Sequence, residues 1–263
     1  MKIGEIISVL DAWAPSYLAE GYDNVGLITG NADQAITGVL VCLDSTEEVI
    51  QEAIDKKCNL VIAHHPIIFK GLKKLVGGNH VERTVIKAIQ HDIAIYASHT
   101  NLDNLPNGVS KKIASVLELN QVDILEPNKV YNDQPAGSGC TGILPFAMEP
   151  QEFLDYVKNK MKLQVIRHTS YINREIKKVA VCGGSGAFLI YAAQNSMADA
   201  YITADIKYHE FFSAEDSLMI LDIGHYESEF FTMDLMADYL KTFDKEFPTF
   251  ITTVNTNPVK YFL

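Results

Sequence analysis

GVLVCLDSTEEVIQEAIDKKCNLVIAHHP, residues 38–66, has the pattern of a strand, a helix and a second strand. The apolar runs Gly38–Leu43 and Leu60–Ala63 predict buried strands. Between them, Thr46–Lys57 predicts a helix, with glutamates in its first turn where the helix dipole favours them. A further helix and the strand Ile93–Ala97 follow. This alternation predicts a mostly parallel sheet covered by helices.

A stretch rich in Pro, Gly, Asn and Asp interrupts this pattern at Pro127–Gly139 (PNKVYNDQPAGSG), and we expect a domain crossing there. A second set of alternating strands and helices follows it, and the last helix and strand are expected to return to the first set. The sequence therefore predicts two interleaved α/β subdomains with mostly parallel or mixed sheets. Their predicted ranges are 1–126 plus 224–263 for the first and 127–223 for the second.

Composition limits the class of protein. The 263 residues are 48% hydrophobic and 21% charged, which is ordinary for one large globular domain or two modest ones. No window approaches 18 uninterrupted apolar residues, so no membrane-spanning helix is expected. The amino-terminal residues lack the apolar core of a secretory signal. We therefore expect a cytoplasmic protein.

The net charge limits which partners the protein can bind. The sequence has 22 Lys and Arg residues and 33 Asp and Glu residues, which gives a net charge of −11. So acidic a surface repels phosphate backbones, and nonspecific nucleic-acid binding is not expected. A nucleotide in a pocket is compatible with this charge, because a metal ion or backbone dipoles reverse the potential locally. The four cysteines are far apart in the sequence, which disfavours a cysteine-based zinc site.

Histidine and carboxylate side chains follow three predicted strands, where open α/β sheets collect their ligands. Imidazole and carboxylate groups together bind zinc, manganese, iron or cobalt. The adjacent histidines cannot easily chelate one ion from an extended backbone, because successive side chains point opposite ways. They can serve two ions, and a two-metal centre also needs a bridging carboxylate. The five candidate ligands are His64, His65, Asp103, His225 and Glu229.

Each of these features also has a structural explanation. The His-His pair could be held by hydrogen bonds alone, Asp103 could stabilise a turn, and His225 and Glu229 could form an ion pair on one helix face. Their joint placement at strand ends favours the metal. A weaker candidate is an anion-binding loop, which could equally be a tight turn, at Gly183, Gly184, Ser185 and Gly186. Further candidates for catalysis are His99, which could orient Asp103 or a water, and Asp205 and His209, which could act as acid and base.

Six short motifs, in order along the chain, resemble those of the Nif-three-like proteins, which are also called GTP cyclohydrolase I type 2 homologues. The match extends from about residue 20 to residue 230. Each motif alone is weak, but six in the same order are specific. They are Tyr22–Leu27, His64-His65-Pro66, His99–Asp103, Cys182–Gly186, Thr203–His209 and Gly224–Glu229.

The resemblance implies a two-subdomain α/β fold, a homohexamer and a dinuclear metal site. It implies that His64 and Asp103 bind one divalent ion, that His65 and His225 bind the other, and that Glu229 bridges both. The implied activity is hydrolytic opening of the guanine ring of GTP at C8, with release of formate. A nucleotide phosphoesterase would suit the same ligands, and a non-enzymatic metal-binding or regulatory interaction protein is the alternative outside enzymes.

Overall fold

The structure is a computed structural model that describes residues 1–243 and 247–262. Its helices are α1 (Ile3–Trp13), α2 (Glu47–Asp55), α3 (His80–Gln90), α4 (Thr100–Asp103), α5 (Val109–Val116), α6 (Pro150–Lys160), α7 (Ile190–Asn195), α8 (His225–Glu229) and α9 (Thr232–Leu240). Its strands are β1 (Gly26–Thr29), β2 (Val39–Cys42), β3 (Leu60–Ala63), β4 (Ala94–Ala97), β5 (Asn120–Tyr131), β6 (Gln134–Met148), β7 (Arg167–His168), β8 (Ile176–Ser185), β9 (Ala200–Ala204), β10 (Met219–Asp222) and β11 (Thr249–Ile251). Short 3-10 helices occupy Ser16–Leu18, Ala187–Leu189 and Tyr208–Ala214.

Two compact units divide the chain. Unit 1 comprises Met1–Leu102 and Thr232–Pro258, and unit 2 comprises Asp103–Phe231 with the carboxyl-terminal residues from Val259. The predicted domain ranges, which include residues 244–246 and 263 outside the described part, stay a prediction. The bounds of the compact units differ from the predicted ranges, because α5 belongs to the core of unit 2. Its Ile113 is buried in one cluster with Val179 and Val181 of β8.

Unit 1 is built on a five-stranded sheet in the order β1-β4-β3-β2-β11. The four strands from β4 to β11 are parallel, and β1 joins the edge in the antiparallel sense. Strands β2, β3 and β4 are buried along their whole length, as expected for parallel strands covered on both faces. Cys42 pairs with Ala63, and Ala63 pairs with Ala97, so these three strands end level with one another. The residues that follow them therefore share one edge of the sheet.

Unit 2 contains a six-stranded mixed sheet in the order β5-β6-β8-β9-β10-β7. Strands β8, β9 and β10 are parallel, and the remaining pairs are antiparallel. Ser185 pairs with Ala204, and Asp222 pairs with Thr203, so the three parallel strands also end at a common edge. The mixed α/β class predicted from the sequence is confirmed.

The stretch predicted as a domain crossing is a β-hairpin within unit 2. Strands β5 and β6 pair from Glu126 opposite Ser138 to Tyr131 opposite Gln134. The two residues between the strands, Asn132 and Asp133, both have positive φ angles, of 48° and 60°. Hairpin turns of two residues need this left-handed conformation, which Asn and Asp tolerate. The polar composition that suggested a linker is thus the composition of a tight turn and a solvent-facing strand.

Among the described residues, no helix is both long and apolar enough to cross a membrane. The longest helices have 11 residues, which is about half of what a bilayer requires. The cytoplasmic location stays a prediction.

Within unit 1, Glu52 of α2 binds the segment that follows β11. Its carboxylate accepts hydrogen bonds from the Thr252 hydroxyl, from the Thr253 amide at 3.0 Å and from the Thr253 hydroxyl at 2.8 Å. The Lys56 ammonium lies 2.8 Å away. Burial by itself would raise the pKa of Glu52, but the hydrogen bonds from Lys56, Thr252 and Thr253 outweigh it and lower the pKa to about 2.

We expect Glu52→Gln to lower the free energy of unfolding by about 2 kcal/mol at pH 7. The pKa of Glu52 is lower in the folded than in the unfolded chain, so its contribution is complete above about pH 5 and declines as the pH falls toward 2. Urea denaturation at pH 7 and pH 3.5 measures this, with the exposed Asp55→Asn on the same helix as control. A difference between wild type and Glu52→Gln that is equal at both pH values would contradict the assignment.

Candidate metal centre

His64 and His65 follow β3 at the carboxyl edge of the unit 1 sheet. The strand ends at Ala63, so the backbone at the two histidines is bent rather than extended. Their ring centroids lie 4.9 Å apart at an interplanar angle of 47°. The expectation that the two side chains point in opposite directions is therefore wrong, because it assumed that the strand continued through them.

Each of these imidazoles is held through its Nδ1 atom. The His64 Nδ1–H donates to the backbone carbonyl of Ser98 at 2.8 Å. The His65 Nδ1–H donates to the Asp44 carboxylate at 2.7 Å, and the other oxygen of Asp44 accepts from the Thr256 hydroxyl at 2.6 Å. A proton on Nδ1 leaves the lone pair on Nε2. Metal-binding histidines usually have this arrangement, because the acceptor fixes both the tautomer and the ring orientation.

His99 follows β4 at the same edge of unit 1. Its ring meets His64 and His65 edge-on, with centroid distances of 5.3 Å and 5.4 Å. His99 donates from Nδ1 to Asp23 at 2.9 Å. Burial alone would raise the pKa of Asp23, but hydrogen bonds from His99 and Thr100 outweigh it and hold the pKa well below the ordinary value. His64, His65 and His99 thus form one cluster whose potential ligand atoms all lie within 4.8 Å of one another.

His225 and Glu229 lie in unit 2 and share one face of α8. His225 follows β10 and places its Nε2 atom 3.0 Å from Glu229 Oε2. On the other side, its Nδ1–H donates to Asp205 at 2.7 Å, and Asp205 also accepts from the Ser185 hydroxyl. Burial alone would lower the pKa of His225, but the Asp205 and Glu229 carboxylates raise it to about 11. Two carboxylates therefore surround a cation at this position.

Gly183–Gly186, the predicted anion-binding loop, continues β8 as far as Ser185. The amide of Gly184 donates to the Ser228 hydroxyl at 2.9 Å. Gly184 has a φ of +61°, and a Cβ atom there would lie 2.2 Å from Glu229 Oε1. Glycine at this position thus gives the Glu229 carboxylate room, while anion binding stays a prediction.

The other predicted residues also lie in unit 2. Asp103 ends α4. Burial raises the pKa of the Cys182 thiol, and the negative charges of Asp103 and Glu229 raise it further. Asp205 has a φ of +57° and precedes the 3-10 helix Tyr208–Ala214, so it does not share a regular helix with His209. The side chain of His209 packs on the rings of Tyr208 and Phe212. The catalytic roles proposed for His99, Asp205 and His209 stay predictions.

Sequence reasoning missed the acceptors that hold the three histidines of unit 1, whereas Asp205, the acceptor of His225, was a candidate for a different role. Asp44 lies two residues after the end of β2, near a strand end like the histidines themselves, so its position in the sequence was a usable signal. Asp23 lies in an irregular segment within the motif Tyr22–Leu27, so the resemblance to the family was its only signal in the sequence. The carbonyl of Ser98 has no signal in the sequence at all, since every residue carries one.

The fold and these side chains define an α/β protein with histidine and carboxylate groups of the kind that bind divalent metals. The family model Duf34/NIF3 (NGG1p interacting factor 3) matches residues 1–258. The chain belongs to the Duf34/NIF3 family, and this confirms the resemblance inferred from the motifs.

Relatives with solved structures or curated names agree with this assignment. A Clostridium perfringens protein named GTP cyclohydrolase 1 type 2 homolog is 35% identical over 243 residues, which is 92% of each chain. A Campylobacter jejuni protein of the same name is 31% identical over 265 residues, and the alignment covers 100% of both chains. The crystal structure of a Staphylococcus aureus hypothetical protein matches with a TM-score of 0.91 and 32% identity, covering 100% of this chain and 99% of that one.

Proposed function

We propose that this protein is a divalent-metal-dependent hydrolase with a dinuclear site formed by His64, His65, Asp103, His225 and Glu229. The observation that supports this most directly is a hydrogen bond that His64, His65 and His225 have in common. Each donates its Nδ1–H to an oxygen acceptor in its own unit, so Nε2 is the ring atom that would bind a metal; at His225 this atom lies 3.0 Å from Glu229, the other proposed ligand of that ion.

The donor chemistry fits a divalent ion. Neutral imidazole nitrogens and carboxylate oxygens are ligands for zinc, manganese, iron and cobalt. In the metal-free protein a proton on His225 balances the carboxylates of Asp205 and Glu229. A dication would replace that proton and satisfy the same two negative charges.

The assignment of ligands to ions follows the family motifs. His64 and Asp103 would hold one ion, His65 and His225 the other, and Glu229 would bridge both. When bound, the ions would supply a nucleophile from water at neutral pH and polarise the atom that is attacked. Asp44 and Asp205 keep His65 and His225 in the orientation that binding requires.

The proposed substrate is GTP, whose guanine ring would be opened at C8 with release of formate. The name GTP cyclohydrolase 1 type 2 homolog, carried by relatives 31–35% identical to this chain, supports this choice. The net charge of −11 would repel a triphosphate. Bound metal ions would offset that repulsion at the site.

The test is an assay of the protein reconstituted separately with zinc, manganese, iron(II) or cobalt. Formate release with loss of the guanine absorbance supports the cyclohydrolase, whereas phosphate release alone identifies a phosphoesterase. Two bound ions with neither product would favour the interaction protein that the family description, NGG1p interacting factor 3, names. His91→Ala is the control, because His91 is exposed and bonds only its own helix, at Lys87.

We also propose a homohexamer, as the family resemblance implies. Multi-angle light scattering should give about six times the chain mass of 29.2 kDa at micromolar concentration. A monomeric mass under these conditions would refute it.

A further inference from the structure

Two aromatic rings, those of Tyr22 and Phe69, are exposed beside the histidines of unit 1. Tyr22 is 68% exposed and Phe69 is 46% exposed. Their ring centroids lie 6.2 Å apart, and the Phe69 ring meets the His99 ring edge-on at a centroid distance of 6.3 Å. All of these residues belong to unit 1. Large apolar side chains that are exposed together mark binding surfaces more often than isolated ones do.

The loop that carries Phe69 is positively charged. Lys70, Lys73 and Lys74, which we call the loop lysines, follow Phe69 within five residues and are exposed. The sequence between Asp55 and Glu82 contains no acidic residue, although the whole chain has a net charge of −11. The loop is therefore a basic region on an acidic protein, and such a region attracts anions locally.

We propose that this surface binds the nucleotide, with the guanine base stacked on Tyr22 and Phe69 and the phosphates held against the loop lysines. The inference rests on the proposed function for the choice of GTP, and it extends that function to residues outside the metal ligands. Aromatic rings that stack on bases, combined with basic groups along the phosphates, are the means by which proteins bind unpaired nucleotides.

Tyr22 is fixed next to the histidines through the residue that follows it. The Asp23 side chain is fully buried and accepts hydrogen bonds from His99 Nδ1 at 2.9 Å and from the Thr100 amide at 3.0 Å. The His99 ring in turn packs edge-on against His65, at a centroid distance of 5.4 Å. A base stacked on the aromatic pair therefore lies at the edge of the sheet where the metal ions are proposed.

Hydrogen bonds hold the loop of residues 68–78 near both of its ends. At the start, the Asn24 side chain donates from Nδ2 to the Ile68 carbonyl at 2.6 Å. At the end, the Glu82 carboxylate accepts from the amides of Val76 and Gly78 at 3.0 Å and 2.9 Å. A loop restrained in this way loses less conformational entropy when it binds a ligand, so the basic surface is partly preorganised.

The test measures binding separately from reaction, on the full metal-loaded chain. The probes are 7-deaza-GTP and 7-deazaguanosine, in which carbon replaces N7, so that C8 is no longer part of an imidazole ring that hydrolysis can open. Calorimetry measures the affinity for the nucleotide, and saturation-transfer NMR measures the weaker affinity for the nucleoside. Elemental analysis and circular dichroism should show unchanged metal content and folding in every variant.

The aromatic pair should contribute to the binding of both probes. We expect Phe69→Ala to weaken the binding of nucleotide and nucleoside alike, by about 5- to 100-fold, because both probes carry the base that stacks. Tyr22→Ala should act in the same direction. Phe69→Trp should retain the affinity, since indole also stacks. Phe146→Ala is the matched control, because it removes an exposed ring from unit 2.

The loop lysines should contribute to the binding of the nucleotide alone. We expect the triple variant Lys70→Gln, Lys73→Gln, Lys74→Gln to bind 7-deaza-GTP about tenfold more weakly and 7-deazaguanosine as the wild type does. The difference should shrink at high salt, which screens exposed charges. The matched control makes the same change at exposed positions elsewhere, as Lys57→Gln, Lys158→Gln and Lys162→Gln.

The inference is overturned if the wild type binds no nucleoside, if Phe69→Ala leaves nucleoside binding unchanged, or if the loop-lysine variant and its control bind 7-deaza-GTP equally. A lower molecular mass of Phe69→Ala in light scattering, with nucleotide binding unchanged, also overturns it and identifies the loop as an interface between copies of the chain. Formate release from GTP with an unchanged KM in Phe69→Ala refutes only this inference. Binding that depends on Phe69, without any hydrolysis product, refutes only the hydrolase.

Discussion

Glu229→Gln is expected to lose both metal ions, with affinity for each reduced by more than about 100-fold. Residues that merely orient a ligand already account for about 10–100-fold, and a carboxylate that bridges two ions contributes to both sites at once. Glutamine keeps the side-chain volume but removes the negative charge that offsets two dications at close range. The residue is 2% exposed, so water cannot easily replace that charge.

Elemental analysis and competition with a chelator measure this loss beside His64→Ala and His225→Ala. Each histidine variant should spare one ion more than the other, whereas Glu229→Gln should spare neither. Glu227→Gln is the matched control, because it makes the same chemical change two residues away on α8. The bridging role is wrong if Glu229→Gln binds two ions at wild-type affinity, and another carboxylate such as Asp103 must then bridge.

The second large effect is expected from Gly184→Ala, although Gly184 has no side chain to bind anything. The new Cβ atom would lie 2.2 Å from Glu229 Oε1, a distance that real Cβ contacts essentially never show. Backbone strain adds about 1–2 kcal/mol, because the φ of +61° is left-handed. The Gly184 amide donates a hydrogen bond to the hydroxyl of Ser228, the residue before Glu229. This bond limits how far Gly184 and Glu229 can move apart.

We therefore expect Gly184→Ala to displace the Glu229 carboxylate and to reduce metal binding nearly as far as Glu229→Gln. The same measurements apply, with Gly21→Ala as control, since a Cβ at Gly21 meets nothing within 4 Å. Combining Gly184→Ala with Glu229→Ala should remove the clash with the carboxylate, so the added stability cost should fall to the backbone strain and the closer contact with His225 Cε1, which would lie 3.3 Å from the new Cβ atom. Wild-type metal affinity in Gly184→Ala would show that the carboxylate need not occupy its present position.

The Pro127–Gly139 stretch shows why local composition was ambiguous. Pro, Gly, Asn and Asp are common in linkers and in hairpin turns alike, for the same reason of backbone conformation. What distinguishes the two is whether the flanking residues find partners. Here Cys140 and its neighbours pair with Val181 and the rest of β8, some forty positions away. This pairing joins residues that are far apart in the sequence, so a local pattern of residues cannot predict it.

The sequence by itself determined the buried strands β2, β3 and β4, because a run of apolar residues is a local property that predicts burial. It also determined that histidine and carboxylate residues follow strands, since the order of residues places them there. Only the tertiary structure decided which oxygen holds each imidazole. Asp44, Asp23 and Asp205 lie 21, 76 and 20 positions from His65, His99 and His225. Parallel strands bring Asp44 to His65 and Asp205 to His225, and the antiparallel pair of β1 and β4 brings Asp23 to His99. The orientation of the imidazoles is therefore set by the pairing of the strands and not by the neighbours of each histidine in the chain.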